Sequence, residues 1–254
     1  MAVPEDDEHD EELTTGPFTR DWTLTQRRRG HRHSTDDLLT GWYATQCVPD
    51  PERVLDLGSG TGSVGLLVLW HAPRARLTAI EAQDVSFRLL RKNIDNNGLQ
   101  GRVTAIHGDL REVRLAGESF DLVTGSPPYF GAHQGIVPAD SQKAHARFEL
   151  RGDVRDYCAA ARAAMASGGR FVFCFPTPQR ARAERACEQA RLPLVRSRDV
   201  VPRRGAPPLF TLYACRREED AGPAHVVEPA YEVRDEAGRE TAEHVATRAS
   251  FGMR

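Results

Sequence analysis

RVLDLGSGTGSVGLLVLWH, residues 53–71, decides the fold. RVLDL (53–57) has the apolar, branched character of a buried strand. A turn with glycine at 58, 60 and 62 follows, and the chain then runs on as an apolar helix through VGLLVLWH (64–71). Strand, glycine turn and helix open a doubly wound α/β sheet, whose ligands bind outside the carboxyl ends of the strands. Gly58, Gly60 and Gly62 have no Cβ to keep the backbone from a bound group.

Outward from this unit the alternation continues. RLTAIE (76–81) reads as a strand, and DVSFRLLRKNIDNNGL (84–99) as an amphipathic helix ended by Asn97-Gly98. RVTAIH (102–107) and FDLVTG (120–125) are further strands, followed by a helix over 150–166, the strand GRFVFCF (169–175) and a helix over 178–191. LVRSRDVVP (194–202) and PLFTLYAC (208–215) close the core as two strands joined through Arg203-Arg204-Gly205-Ala206-Pro207. The pattern predicts an α/β, Rossmann-like, doubly wound and mostly parallel sheet of seven strands, the last antiparallel. It occupies residues 17–216, with an N-terminal lead-in over 17–50. There Ser34 or Thr35 caps a helix that carries Asp36 and Asp37 in its first turn. Residues 1–16 read as a disordered acidic tail. Residues 217–254, after the polar REEDAGP, read as a loosely structured extension.

Composition sets limits. The 254 residues are 40% hydrophobic and 28% charged, enough for a real core. No apolar run approaches the ~18 residues of a membrane span, and the acidic start is unlike a signal peptide. Cys47, Cys158, Cys174, Cys187 and Cys215 have neither metal-ligand nor redox spacing, which fits small buried hydrophobes in a reducing cytoplasm. His31 and His33 have no third ligand nearby, so no metal is expected. The net charge of −2 hides a split. Seven of the 36 acids fall in residues 1–12, leaving 29 against 34 basic residues, or +5, for the rest. A mildly basic body tolerates a nucleic-acid partner.

The strand ends carry acids. Read from Gly60, GTGSVG fits the G-x-G-x-x-G fingerprint of a dinucleotide site, so a nicotinamide cofactor competes with S-adenosylmethionine. Asp56 favours the second, because a carboxylate there suits an ammonium and opposes a pyrophosphate. Glu81 can take ribose hydroxyls under either reading. Asp109, in HGDL (107–110), is placed to accept a hydrogen bond from an adenine amine.

The fourth strand stops on Ser126-Pro127-Pro128-Tyr129-Phe130. Adjacent prolines cannot continue a ladder, and in a doubly wound sheet this loop lies across the switch point from the glycine turn. An exocyclic base amine is a poor nucleophile because its lone pair is delocalised into the ring. Acceptors at Ser126 and the Pro127 carbonyl would favour a pyramidal nitrogen, and Pro127 and Pro128 would hold them rigidly. Tyr129 can stack on the base, a contact worth roughly 1–3 kcal/mol.

DLGSGTG, the acid of AIEAQ, HGDL and SPPY, in that order, resemble the class I S-adenosylmethionine-dependent methyltransferases that modify amino groups. QRRRGHRHSTDDLLTGWYA (26–44) and ARFEL (146–150) are similar to motifs of the bacterial branch that methylates the exocyclic amine of an adenine in the anticodon loop of valine tRNA. The resemblance covers roughly residues 20–216. It implies the class I fold, S-adenosyl-L-methionine as cofactor and a tRNA partner; the sequence leaves the oligomeric state open, with a monomer favoured. It adds Leu110, Arg32, Ser34, Thr35 and Asp36 to the residues that close on the cofactor. Arg27, Arg28, Arg29, His31, His33, Arg203 and Arg204 are candidate RNA contacts, and the loop 131–148 is a candidate substrate lid. One departure bears on the substrate. The tRNA branch usually has Asn at the position of Ser126, and Ser-Pro-Pro also occurs in methyltransferases of the cytosine amine in DNA. Another base in DNA or ribosomal RNA, a protein glutamine side chain, and a non-catalytic RNA-binding role are the alternatives.

Overall fold

Val54, Leu55 and Leu57 are buried on both faces of one strand, as a central strand covered by helices on each side requires. In the computed structural model, which describes residues 12–115, 117–131 and 138–253, this strand is β3 (Arg53–Leu57). It follows a hairpin of β1 (Leu13–Pro17) and β2 (Thr23–Arg27) and the helix α1 (Thr35–Cys47). Then come α2 (Ser63–His71), β4 (Arg76–Glu81), α3 (Asp84–Asn96), β5 (Val103–His107) and β6 (Phe120–Gly125). After α4 (Ser141–Arg147), α5 (Val154–Ala164) leads into β7 (Met165–Pro176). A short 3-10 turn (Thr177–Gln179), α6 (Arg180–Gln189), β8 (Leu194–Val201) and β9 (Phe210–Cys215) complete the expected core.

The order β8-β9-β7-β6-β3-β4-β5 is the anticipated seven-stranded sheet. Strands β3 to β7 run parallel, and β9 lies antiparallel between β7 and β8. Helices α1, α2 and α3 pack on one face around Leu39, Tyr43, Leu67 and Leu90. On the other, α5 and α6 pack around Phe171, Phe173 and Ala186. Sequence-distant β3 and β6 are neighbours, with Asp56 opposite Thr124 and Leu57 opposite Gly125. That pairing brings the glycine turn and the Ser126-Pro127-Pro128 loop to one end of the sheet. Among the described residues, no helix is long and apolar enough to cross a membrane.

Both ends of the chain differ from expectation. Residues 13–16, assigned to a disordered tail, are strand β1, paired from Leu13 with Arg27 to Pro17 with Thr23; residues 1–11 lie outside the described residues. The hairpin is held from α3. Asn93 exchanges hydrogen bonds with the backbone N–H (2.7 Å) and carbonyl (3.1 Å) of Thr25. Asn97 does the same with Thr23 (2.8 and 2.9 Å). Two asparagines thus supply the donors and acceptors that a neighbouring strand would.

The C-terminal segment is ordered rather than loose. β10 (Val226–Val227) and β11 (Tyr231–Glu232) extend the sheet beyond β8, and α7 (Ala242–Ser250) follows. Tyr231 and Phe251 are fully buried in the same core as α1 and α2. The Tyr231 hydroxyl bonds to His244 (3.1 Å) and Thr247 (2.9 Å). Within the loop 131–148, residues 141–147 are helical; residues 132–137 of that candidate lid lie outside the described residues.

Candidate active site

A cavity of about 320 Å³ lies at the carboxyl ends of β3, β4 and β6. Asp56, Gly58, Gly60, Glu81, Asp109 and Leu110 line it, and so do Asp36 and the whole of Ser126-Pro127-Pro128-Tyr129. Three of the candidate residues lie elsewhere. Gly62, at φ +94°, starts α2, and a Cβ there would meet Leu90 Cδ1 at 2.8 Å, so its role is packing. Arg32 is exposed and reaches back to the hairpin, donating to Thr14 Oγ1 (2.8 Å) and the Arg27 carbonyl (3.1 Å). Thr35, the first residue of α1, faces a second cavity. Arg32 and Thr35 therefore do not line this cavity. Ser34, by contrast, lines both cavities.

The two buried acids hold the glycine turn. Asp56 accepts from Ser59 Oγ (2.5 Å), Thr124 Oγ1 (2.7 Å) and the Gly65 N–H (3.2 Å). It therefore ties the turn to both α2 and β6. Glu81 accepts from the N–H groups of Gly60 (2.8 Å) and Gln83 (2.6 Å). Burial raises both carboxyls above their ordinary pKa, and these hydrogen bonds oppose the rise. Asp109 differs. Its hydrogen bonds from the Arg111 side chain, at 2.9 and 2.6 Å, hold the carboxyl below the usual range. At Gly58, φ +60°, a Cβ would lie 2.0 Å from the Tyr157 hydroxyl oxygen, so only glycine fits over that ring.

Pro127 and Pro128 are buried at the end of β6. Ser126 Oγ sits 3.4 Å from Cys174 Sγ on β7. The Tyr129 hydroxyl donates to Asp36 Oδ2 (3.0 Å) and lies 3.2 Å from Cys174 Sγ. Its carbonyl accepts from Gln179 Nε2 (2.7 Å), and its ring meets Phe175 edge-on at 6.1 Å. Asp36 is thus a link between the lead-in helix and the proline loop.

Sequence reasoning missed Gln142 and Tyr157. Gln142, on α4, lines the cavity at 1% exposure. It accepts from the His31 N–H (3.2 Å) and donates to Ser86 Oγ (3.2 Å), joining α4 to the lead-in and to α3. No motif marks a glutamine in a polar loop; only the burial reveals it. Tyr157 could have been found as an aromatic on the buried face of α5, but its place under Gly58 depends on the sheet order. Among the described residues, no group of three His, Cys, Asp or Glu side chains is placed to hold a metal.

Comparison with known proteins gives the family. Residues 39–174 match the methyltransferase small domain. A tRNA1(Val) (adenine(37)-N6)-methyltransferase of Flavobacteriaceae bacterium (strain 3519-10) is 30% identical over 181 residues, 71% of this chain and 75% of that protein. The Aeromonas hydrophila protein of the same name is 33% identical over 144 residues, 56% of this chain and 58% of its own length. In fold, the crystal structure of a predicted O-methyltransferase from Agrobacterium tumefaciens superposes with a TM-score of 0.66 at 19% identity, over 87% of this chain and 98% of that one. The chain belongs to the methyltransferase small domain family and is a class I S-adenosylmethionine-dependent methyltransferase.

Proposed function

We propose that this chain methylates the N6 amine of an adenine in the anticodon loop of a tRNA. The observation that carries the reading is the meeting of the glycine turn and the proline loop in one cavity, made by the pairing of β3 with β6. The cavity's residues fit S-adenosylmethionine. Its size, about 320 Å³, falls in the range of small-molecule sites. A Cβ at Gly60 would meet nothing within 4 Å, so that backbone can be approached closely. Acids at three strand ends suit an ammonium, hydroxyls and an amine better than a pyrophosphate. When bound, S-adenosylmethionine supplies a methyl group on an electrophilic sulfonium.

Each residue then has a task. Asp56 keeps the turn in shape through Ser59 and Gly65 and places negative charge beneath it. Glu81 has lone pairs beyond those given to Gly60 and Gln83, and these take ribose hydroxyls. Asp109, with Leu110 beside it, receives the adenine edge of the cofactor. Ser126 and the Pro127 carbonyl accept from the target amine and draw its lone pair out of the ring. Tyr129, anchored by Asp36, presents its ring to the base. The amine loses its proton after the methyl is attached, so no general base is required. In-line positioning supplies the protein's share of the rate.

Two relatives, at 30% and 33% identity, carry the name of a tRNA adenine-37 enzyme. An anticodon loop is single-stranded already, so exposing its base costs less than flipping one from a duplex. The test is methyl transfer from labelled S-adenosylmethionine to separate tRNA, ribosomal RNA, DNA and protein fractions, with digestion of the product to nucleosides. N6-methyladenosine from tRNA supports the reading. Label in cytosine, or in protein, contradicts it and assigns Ser126 to a different amine.

A further inference from the structure

A second cavity, about 940 Å³, opens beside the first. The turn of the β1–β2 hairpin forms one wall, with Phe18 and Arg20. The C-terminal segment forms the other, with Val233, Arg234 and Met253, and Leu209 lies between them. His33 and Ser34 line both cavities, so the two adjoin at the start of α1. The walls are joined to each other. The Arg20 N–H donates to the Phe251 carbonyl at 3.2 Å, and a Cβ at Gly252 would sit 3.2 Å from the Arg20 nitrogen. The groove is therefore a fixed feature of the fold.

Its chemistry is two-sided. Arg20 and Arg234 are exposed at the two walls. Arg20 pairs across the surface with Asp21, at 3.3 Å, a contact of little energetic weight, and its guanidinium lies 5.8 Å from the centre of the Trp70 ring. Arg248 is matched by Glu240 at 2.9 Å, so the arginine excess of the groove comes from Arg20 and Arg234. Leu209, 56% exposed, offers bare apolar surface between them. Arginine binds phosphate through paired donors, and apolar surface accepts the face of any base.

We propose that this groove holds the single-stranded RNA flanking the target nucleotide, with Arg20 and Arg234 on phosphates and Leu209 against a base. The proposal rests on the reading of a tRNA loop as substrate. A base inserted between Ser126 and Tyr129 brings its backbone to the rim of the first cavity. The adjoining nucleotides can then continue past His33 and Ser34 into the groove. Thr35 lines this groove, at the point where the RNA strand would enter it.

Arg20→Ala, Arg234→Ala and Leu209→Asp change side chains on the surface and leave the Arg20–Phe251 backbone bond in place. The probe is an unmodified valine tRNA transcript, bound over a range of salt concentrations, with methyl transfer and S-adenosylmethionine affinity measured in parallel. Each arginine variant should lower the slope of log affinity against log salt by about 0.7–1. KM for tRNA should rise about tenfold in all three, with cofactor affinity unchanged. If the wild type methylates the transcript and all three variants keep its salt slope and KM, the groove is not an RNA site. If the wild type methylates no RNA but labels DNA or protein, the tRNA reading itself fails and the RNA assignment of the groove falls with it.

Discussion

The glycine turn of the strand-end cavity is fixed over a short stretch of chain: Ser59 reaches Asp56, and the Gly62 N–H reaches the Ser59 carbonyl. The groove beside it is closed by residues from opposite ends of the chain, Arg20 and Phe251. The cavity's buried acids are fixed by neighbouring donors, whereas Arg20 and Arg234 of the groove are exposed. On the proposed reading the difference separates two tasks. One site would fix a small molecule and a reacting amine, which needs pre-set geometry. The other would take a long, flexible polyanion, which needs charge and surface more than exact fit.

Substitutions can break that contrast, and the largest effect belongs to Asp56. Asp56→Ala leaves Ser59 and the Gly65 N–H without their buried acceptor, and Thr124 with a longer bond to the Leu55 carbonyl at 3.4 Å. Orphaning two groups and weakening a third should cost on the order of 4 kcal/mol, and S-adenosylmethionine binding should be lost with the shape of the turn. Calorimetry on the folded variant checks this, and wild-type affinity would remove Asp56 from the site. Phe251→Ala comes next. Truncating a fully buried phenylalanine should destabilise by about 3–4 kcal/mol. Here the prediction is selective: at temperatures where the variant stays folded, cofactor affinity holds while tRNA affinity falls.

The third effect is a pH dependence of the C-terminal wall. Burial pushes His244 below its ordinary pKa of 6.5, with Arg248 and Arg234 adding to the shift and Glu240 opposing it. Below pH 6.5 the unfolded chain therefore takes up a proton that the folded chain does not. Stability should fall as pH drops through 6.5, down to the lower folded-state value, and recover above it. His244→Gln should flatten that part of the profile in thermal melts, and an unchanged slope would place the titration elsewhere.

The smallest effect is expected at Asp36. Asp36→Ala removes one hydrogen bond from the Tyr129 hydroxyl, worth about 1 kcal/mol, or roughly a fivefold loss in kcat. Tyr129→Phe should cost about as much alone and little more in the Asp36→Ala background. Additive losses would show that the two residues act separately.

The contrast also explains what the sequence revealed. The sheet, its antiparallel last strand and the glycines, acids and prolines that meet in the first cavity were legible because the signals are local: alternating strand and helix, glycines after β3, acids at the strand ends, two prolines after β6; Gln142 and Tyr157, which also line it, carried no such signal. The groove was not legible. Tyr231 and Phe251 belong to no motif, and nothing near them says that they reach the α1–α2 core. Asn97 reads as the end of a helix and Asn93 carries no signal of its own, yet both hold β2. Which cavity Thr35 faces was hidden for a related reason. A residue at the start of a helix can face either side of the chain that enters it, and only the fold decides which.

The central claim is that the loop after β6 performs the transfer while the glycine turn holds the cofactor. The most direct test measures S-adenosylmethionine affinity and single-turnover methyl transfer to tRNA in Pro127→Ala/Tyr129→Ala. Cofactor affinity within about threefold of wild type, with transfer slowed by a factor of 100 or more, is the predicted result. Transfer at the wild-type rate would contradict the account and leave the proline loop as a turn that merely ends a strand.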